Sequence, residues 1–149
     1  MKDFSQLQLR EQYDLIWVGS LITHLPPLQT RMFLAAMRRH MTDNARLVVS
    51  SHGPSIISRL RAQGYGLDTE TATALIDEFE KTGFGYRDYH TGGDEYGVAL
   101  TNEHYGISLT DEALFRNNLP ECGLRIVSYI PRVWDDHHDI VVTRLSEDE

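Results

Sequence analysis

At 149 residues, with 41% hydrophobic and 24% charged side chains, the sequence has the length and balance of one globular domain with a proper core. Its 14 basic against 22 acidic side chains, a net charge of −8, exclude a polyphosphate partner, because nucleic-acid binding relies on clustered Lys and Arg that release counterions. No apolar run approaches the roughly 20 residues needed to span a bilayer, and no signal-like segment follows Met1. The single cysteine, Cys122, has no partner for a disulfide and no second thiolate for zinc. These features predict a cytoplasmic protein with no membrane partner, a core-filling Cys122 and a solvated acidic tail from Ser146 to Glu149.

Tyr13 to Val18 (YDLIWV) is an almost continuously apolar run of strand length, broken by Gly19-Ser20, which suits a buried parallel strand covered on both faces. After Pro26-Pro27, Leu28, Met32, Leu34, Ala35 and Met37 fall at helical spacing, with Arg31, Arg38 and Arg39 on the other face, so a helix runs to about His40. Thr42-Asp43-Asn44 has turn chemistry, and Ala45 to Val49 (ARLVV) reads as a second buried strand ending at Ser50-Ser51-His52-Gly53. Strand, helix and strand make a βαβ unit with a right-handed crossover.

Pro54 to Arg61 predicts a short helix, interrupted by Gly64-Tyr65-Gly66, and Thr69 to Lys81 predicts another through Ala74, Leu75 and Phe79. Phe84 to His90 and Tyr96 to Leu100 flank the turn residues Thr91 to Asp94 and predict an antiparallel hairpin insertion. Thr110 or Asp111 caps a helix that passes Leu114, Phe115 and Leu119 to Gly123, with Pro120 fraying its last turn. Leu124 to Ile130 and Asp139 to Leu145 read as strands whose connection, Pro131 to His138, is too short for a parallel return. An antiparallel pair at the sheet edge follows. The fold class is therefore α/β, in residues 1–149 as a single unit.

This order, together with YDLIWVGSLITHLPP, ARLVVSSHG, GFGYRDYH, YGVALTNEHYGISLT and WDDHHDIVV, resembles the C-terminal part of class I S-adenosylmethionine-dependent methyltransferases, and within them a bacterial branch sometimes joined to glycosyltransferases. The resemblance implies a three-layer, Rossmann-like sheet with an antiparallel edge pair. It also implies a glycine-rich turn after the first family strand and an acidic residue at the tip of the second for the cofactor ribose; no Gly-x-Gly occurs before Tyr13, and Met1 to Gln12 is too short to hold those strands. Gly64-Tyr-Gly66 and Gly83-Phe-Gly85 have the letters of such a turn but do not follow a buried strand, so both read as ordinary turns. The expectation is a truncated methyltransferase-like domain with S-adenosylmethionine as cofactor and a small-molecule or glycan acceptor.

In such a sheet, cofactor and acceptor meet at the carboxyl ends of the central strands, which makes Gly19, Ser20 and Leu21 the cofactor-side loop. His24 would orient the acceptor or take its proton, or would simply staple the following helix. His52 lies at the same rim, as an acceptor contact or a hydrogen-bonded turn residue. Tyr86, Tyr89, His90, His104 and Tyr105 form an aromatic insertion suited to stacking on a planar or sugar-like acceptor, although tyrosines are also ordinary strand formers. By resemblance, Trp134 and His137 face the acceptor and Asp136 or Asp139 fixes their loop, with His24 and His137 the candidate bases; Trp134 as simple packing stays open.

Two rival readings come from other classes. The row of backbone donors and acceptors left along Tyr13 to Val18 suits a noncatalytic module that forms a homodimer through its sheet edge. The Asp and His of WDDHHD suit a metal-dependent hydrolase, but neighbours in one loop rarely converge on one ion and no distant partner supports them, so no metal ligand is assigned.

Overall fold

The computed structural model describes residues 4–89 and 105–146, in a sheet of four strands, a separate antiparallel pair and four helices. The strands are β1 (Tyr13–Val18), β2 (Met41–Ser51), β3 (Phe84–Asp88), β4 (Gly106–Thr110), β5 (Leu124–Trp134) and β6 (His138–Leu145). The helices are α1 (Pro27–Arg38), α2 (Ile57–Gln63), α3 (Thr69–Thr82) and α4 (Glu112–Asn118). In the large sheet the order is β1-β2-β6-β5, with β1 and β2 parallel and β6 antiparallel to both its neighbours.

Local chemistry explains most boundaries. Pro27 opens α1, where its missing N–H costs nothing. Asp68 caps α3 by accepting from the Thr71 amide at 2.8 Å, and Gly83, at φ 76°, ends it. Asp111 caps α4 by accepting from the Leu114 amide at 2.7 Å, and Pro120 turns its last part into a 3-10 turn, Leu119–Cys122.

Alternation along the sheet sends Ile16, Val18, Leu47, Val49 and Val141 to one face, where they pack with Phe33 and Met37 of α1 and Phe115 of α4. A second cluster joins Leu60 of α2, Leu75 and Phe79 of α3, and Ile107 and Leu109 of β4. Each such buried side chain contributes about 1.5–3 kcal/mol relative to exposure. Two hydrogen bonds tie the clusters together at one end of the sheet: the Thr110 amide donates to the His52 carbonyl at 2.8 Å, and Ser108 Oγ donates to the Ile22 carbonyl at 2.7 Å.

Four expectations are corrected. β1 is not covered on both faces: Leu15 is 64% and Trp17 51% exposed, because β1 pairs with β2 only and no described helix packs on that side. Thr42-Asp43-Asn44 is not a turn but a bulge within β2, absorbed by the register shift between the pairs Tyr13↔Met41 and Leu15↔Arg46. β5 continues past Ile130 to Trp134, with Pro131 inside an irregular stretch of this edge strand, where its missing N–H breaks no ladder. β3 pairs with Gly106–Thr110, while the expected partner Tyr96 to Leu100 lies outside the described residues. Among the described residues no helix is long and apolar enough to cross a membrane.

Candidate functional site

β1 and β2 run parallel and end together at Gly19 and His52, and the register Ser51↔Asp139 brings the start of β6 to the same end. The rim so formed collects side chains from well-separated stretches of sequence.

His24 occupies a 3-10 turn, Ile22–His24, between β1 and α1. Its Nδ1 lies 2.8 Å from the Gly106 carbonyl, which can only accept, so Nδ1 carries the proton and Nε2 keeps a free lone pair. Nε2 faces Ser20 Oγ at 3.5 Å, the Tyr105 ring stacks on the imidazole at 4.8 Å, and the Tyr89 hydroxyl is 3.3 Å from Nδ1. Burial lowers the His24 pKa below its ordinary 6.5, with the Gly106 hydrogen bond opposing only part of that shift. The ring is therefore neutral at pH 7, with a base-competent nitrogen toward the Gly19-Ser20 loop. Because the folded pKa is depressed, the stability gained from the neutral ring is full above pH 6.5 and is lost as pH falls through the folded value. An NMR titration is expected to give His24 a midpoint below 6.5 with the Nδ1–H tautomer above it; a midpoint above 6.5 contradicts this geometry.

The loop residues divide. The Ser20 amide donates to Ser50 Oγ at 2.7 Å with Ser20 at φ 52°, which pins the turn after β1. Leu21 packs against the main apolar cluster rather than into the rim. A Cβ on Gly19 would meet the Trp134 ring at 2.8 Å, so the close approach at this glycine is made by the indole. Trp134 in turn lies edge-to-face on Trp17 at 5.4 Å and against the His138 ring at 4.8 Å.

Behind Trp134, His52, His137 and His138 are all buried, with ring centroids 4.1 Å (His137 and His138), 4.7 Å (His52 and His138) and 5.7 Å (His52 and His137) apart. Burial first, then repulsion between the rings, pushes the His52 pKa well below 6.5 and that of His138 down to about 4, so both are neutral. Tyr65, at φ 49° in the turn after α2, packs against His52 and His137, and Arg59 of α2 reaches His137 Nδ1 at 3.0 Å and Asp136 at 3.3 Å.

Tyr86 donates to Asp88 on its own strand at 2.6 Å, which leaves it apart from this cluster. Burial raises the Tyr89 and Tyr105 pKa values, so both remain phenols and hydrogen-bond donors. His90 and His104 lie outside the described residues. Sequence reasoning passes over Arg59 and Tyr65 and meets His138 only as one member of the WDDHHD loop. Only the Gly64-Tyr65-Gly66 punctuation hints at Tyr65, and its contact with His52 is a long-range one. A groove between α1 and α4, lined by Arg31, Leu34, Phe115 and Cys122, shares no residue with the rim.

No known family profile and no curated protein matches this sequence. Solved structures do match its fold. LepI in complex with SAM is 12% identical over 97% of this chain and 29% of its own, with a TM-score of 0.56. The Burkholderia thailandensis 1,6-didemethyltoxoflavin-N1-methyltransferase, solved with 1,6-didemethyltoxoflavin and S-adenosylhomocysteine, is 13% identical over 97% and 48%, with a TM-score of 0.60. The glycopeptide N-methyltransferase MtfA, complexed with S-adenosyl-L-methionine, is 11% identical over 98% and 59%, with a TM-score of 0.56. The fold is the Rossmann-like α/β fold of class I methyltransferases, and the chain spans less than two thirds of the length of each of these proteins.

Proposed function

We propose that the chain is the acceptor-side part of an S-adenosylmethionine-dependent methyltransferase that acts on a hydroxyl of a small molecule or glycan. The observation that carries this reading is the His24 ring, neutral, tautomerically fixed by Gly106 and turned toward the loop at the carboxyl end of β1. S-adenosylmethionine, when bound, supplies an electrophilic methyl group, and the remaining requirement is alignment of the incoming nucleophile. A hydroxyl is a poor nucleophile until it loses its proton. His24 Nε2 is poised to accept that proton, and the Tyr105 and Tyr89 rings packed beside the imidazole would offer aromatic surface to a planar or sugar-like acceptor.

The residues present fit the cofactor in part. Gly19 and Ser20 offer backbone along its methionine side, but Ser20 spends its amide on Ser50, Leu21 turns inward and Trp134 fills the approach to Gly19. Neither Gly64-Tyr-Gly66 nor Gly83-Phe-Gly85 is a cofactor turn: Gly64 and Gly83 end helices α2 and α3, and Gly85 lies in β3. This chain's own hold on the cofactor is accordingly weak and confined to the loop. An NMR titration with S-adenosylhomocysteine is expected to move the Gly19, Ser20 and His24 signals with an affinity weaker than micromolar, and adenosine alone is expected to move none of them. Shifts elsewhere only, or none at millimolar ligand, would sink the reading.

A further inference from the structure

We propose that His52, His137 and His138 form a three-imidazole site for a divalent metal ion of the zinc class. One ring nitrogen from each lies within 4.8 Å of the others, and the three come from the end of β2 and from the β5–β6 hairpin. His52 is 2% and His138 5% exposed, and neither ring nitrogen of either residue has a hydrogen-bond partner among the described residues. The Ser108 and Trp134 backbones act weakly on these rings without reaching hydrogen-bond geometry. A buried core histidine normally spends both nitrogens, since each unsatisfied polar group costs about 1–3 kcal/mol. Two adjacent imidazoles with nothing to bond among the described residues are explained by a ligand that takes lone pairs.

The donor set selects the ion. Three imidazole nitrogens without a carboxylate suit zinc, cobalt or nickel, whereas magnesium and calcium demand oxygen. Around an ion with bonds of about 2.0–2.1 Å, tetrahedral ligand nitrogens lie about 3.3 Å apart, so the rings need to close by about 1.5 Å at most. Side-chain rotation supplies that.

The surroundings fit as well. His137 Nδ1 lies 2.5 Å from the Asp135 carbonyl and 3.0 Å from Arg59, and in the tautomer that donates to the carbonyl its Nε2 is left bare, the arrangement that orients a metal-ligating histidine. Trp134 covers His138 from one side, and Tyr65 covers His52 and His137 from the other. Three protein ligands leave a fourth position for water. The sequence lacks a visible distant partner for the WDDHHD loop; the fold supplies one in His52, because Ser51 pairs with Asp139.

Equilibrium dialysis of the purified chain against zinc, with cobalt as a spectroscopic stand-in, tests this without any activity assay. One zinc per chain is expected, with micromolar or tighter affinity that magnesium does not compete away. His52→Ala and His138→Ala are each expected to weaken binding at least about tenfold. His40→Ala, which removes a histidine bonded near Leu7 and Leu9, is expected to bind as the parent does. In the unsubstituted chain, zinc should shift the ring signals of His52, His137 and His138 and leave those of His40 in place, a readout that survives if a variant fails to fold. No zinc retained, undiminished binding in the two variants, or ring shifts at other histidines only would overturn the site.

Discussion

Replacing Gly106 with alanine is expected to lower the stability of the protein by about 3 kcal/mol and to release the His24 ring. A Cβ at this position would sit 1.9 Å from the Arg87 carbonyl oxygen, 2.7 Å from its carbon and 2.8 Å from Asp88 Cα. All three atoms are backbone of β3, so no rotamer relieves the clash, and the Asp88↔Gly106 end of the pair must splay. That end holds two things at once. Inward, Ile107 and Leu109 of β4 are fully buried under α3; outward, the Gly106 carbonyl accepts from His24 Nδ1. A fall in the urea midpoint, together with a mixture of His24 tautomers by NMR, is the expected signature, and a variant within about 1 kcal/mol of the parent would rule out this register. Gly19 presents the contrary case, since its added methyl would meet the outer edge of the partly exposed Trp134 ring, which can swing away.

Which parts of this molecule are legible in its sequence follows from the range of the interactions involved. The β1–α1–β2 unit rests on continuous apolar runs cut by Gly19-Ser20 and Pro26-Pro27, and the antiparallel β5–β6 pair on a connection too short for anything else. These are local signals. The exposure of Trp17 depends instead on what lies beside β1, and the Thr42–Asn44 bulge on a register shift against Tyr13, neither of which a propensity can register. The rim is harder still to read. WDDHHD looks like one polar loop, yet pleating divides it: Trp134 and His138 pair across the hairpin, while Asp139 turns the other way toward Tyr129. His52 and Tyr65 join this group only through strand pairing and the packing of the turn after α2. His24 was identifiable as a rim residue, but its tautomer is set by a carbonyl 82 positions away.

Asp139→Ala is the other substitution with a large expected cost, about 3 kcal/mol, from the loss of two hydrogen bonds to one buried carboxyl group. Asp139 is fully buried at the start of β6. Its Oδ2 accepts from the Tyr129 hydroxyl and its Oδ1 from the Arg132 amide at 2.8 Å, so it spans the irregular part of β5 where Pro131 and the positive φ of Arg132 interrupt the ladder. Burial, followed by this hydrogen bond, raises the Tyr129 pKa, so the phenol keeps its proton and its role as donor. Alanine would take the acceptor from both donors, the half-buried Tyr129 hydroxyl and the Arg132 amide. The backbone has made room for the pair: a Cβ on Gly53 would fall 2.0 Å from Asp139 Oδ2 and 2.7 Å from the Tyr129 oxygen. Gly53 adjoins His52, and Asp139 adjoins His138, so the carboxyl group that spans the bulge sits beside the backbone that carries the two histidines, whose rings are 4.7 Å apart. Urea unfolding should therefore register the stability loss, and the His52 and His138 ring signals should broaden or move in the folded variant. A variant that melts like the parent, with those rings unmoved, would mean that the strand pairing alone, without Asp139, orders this end of the sheet.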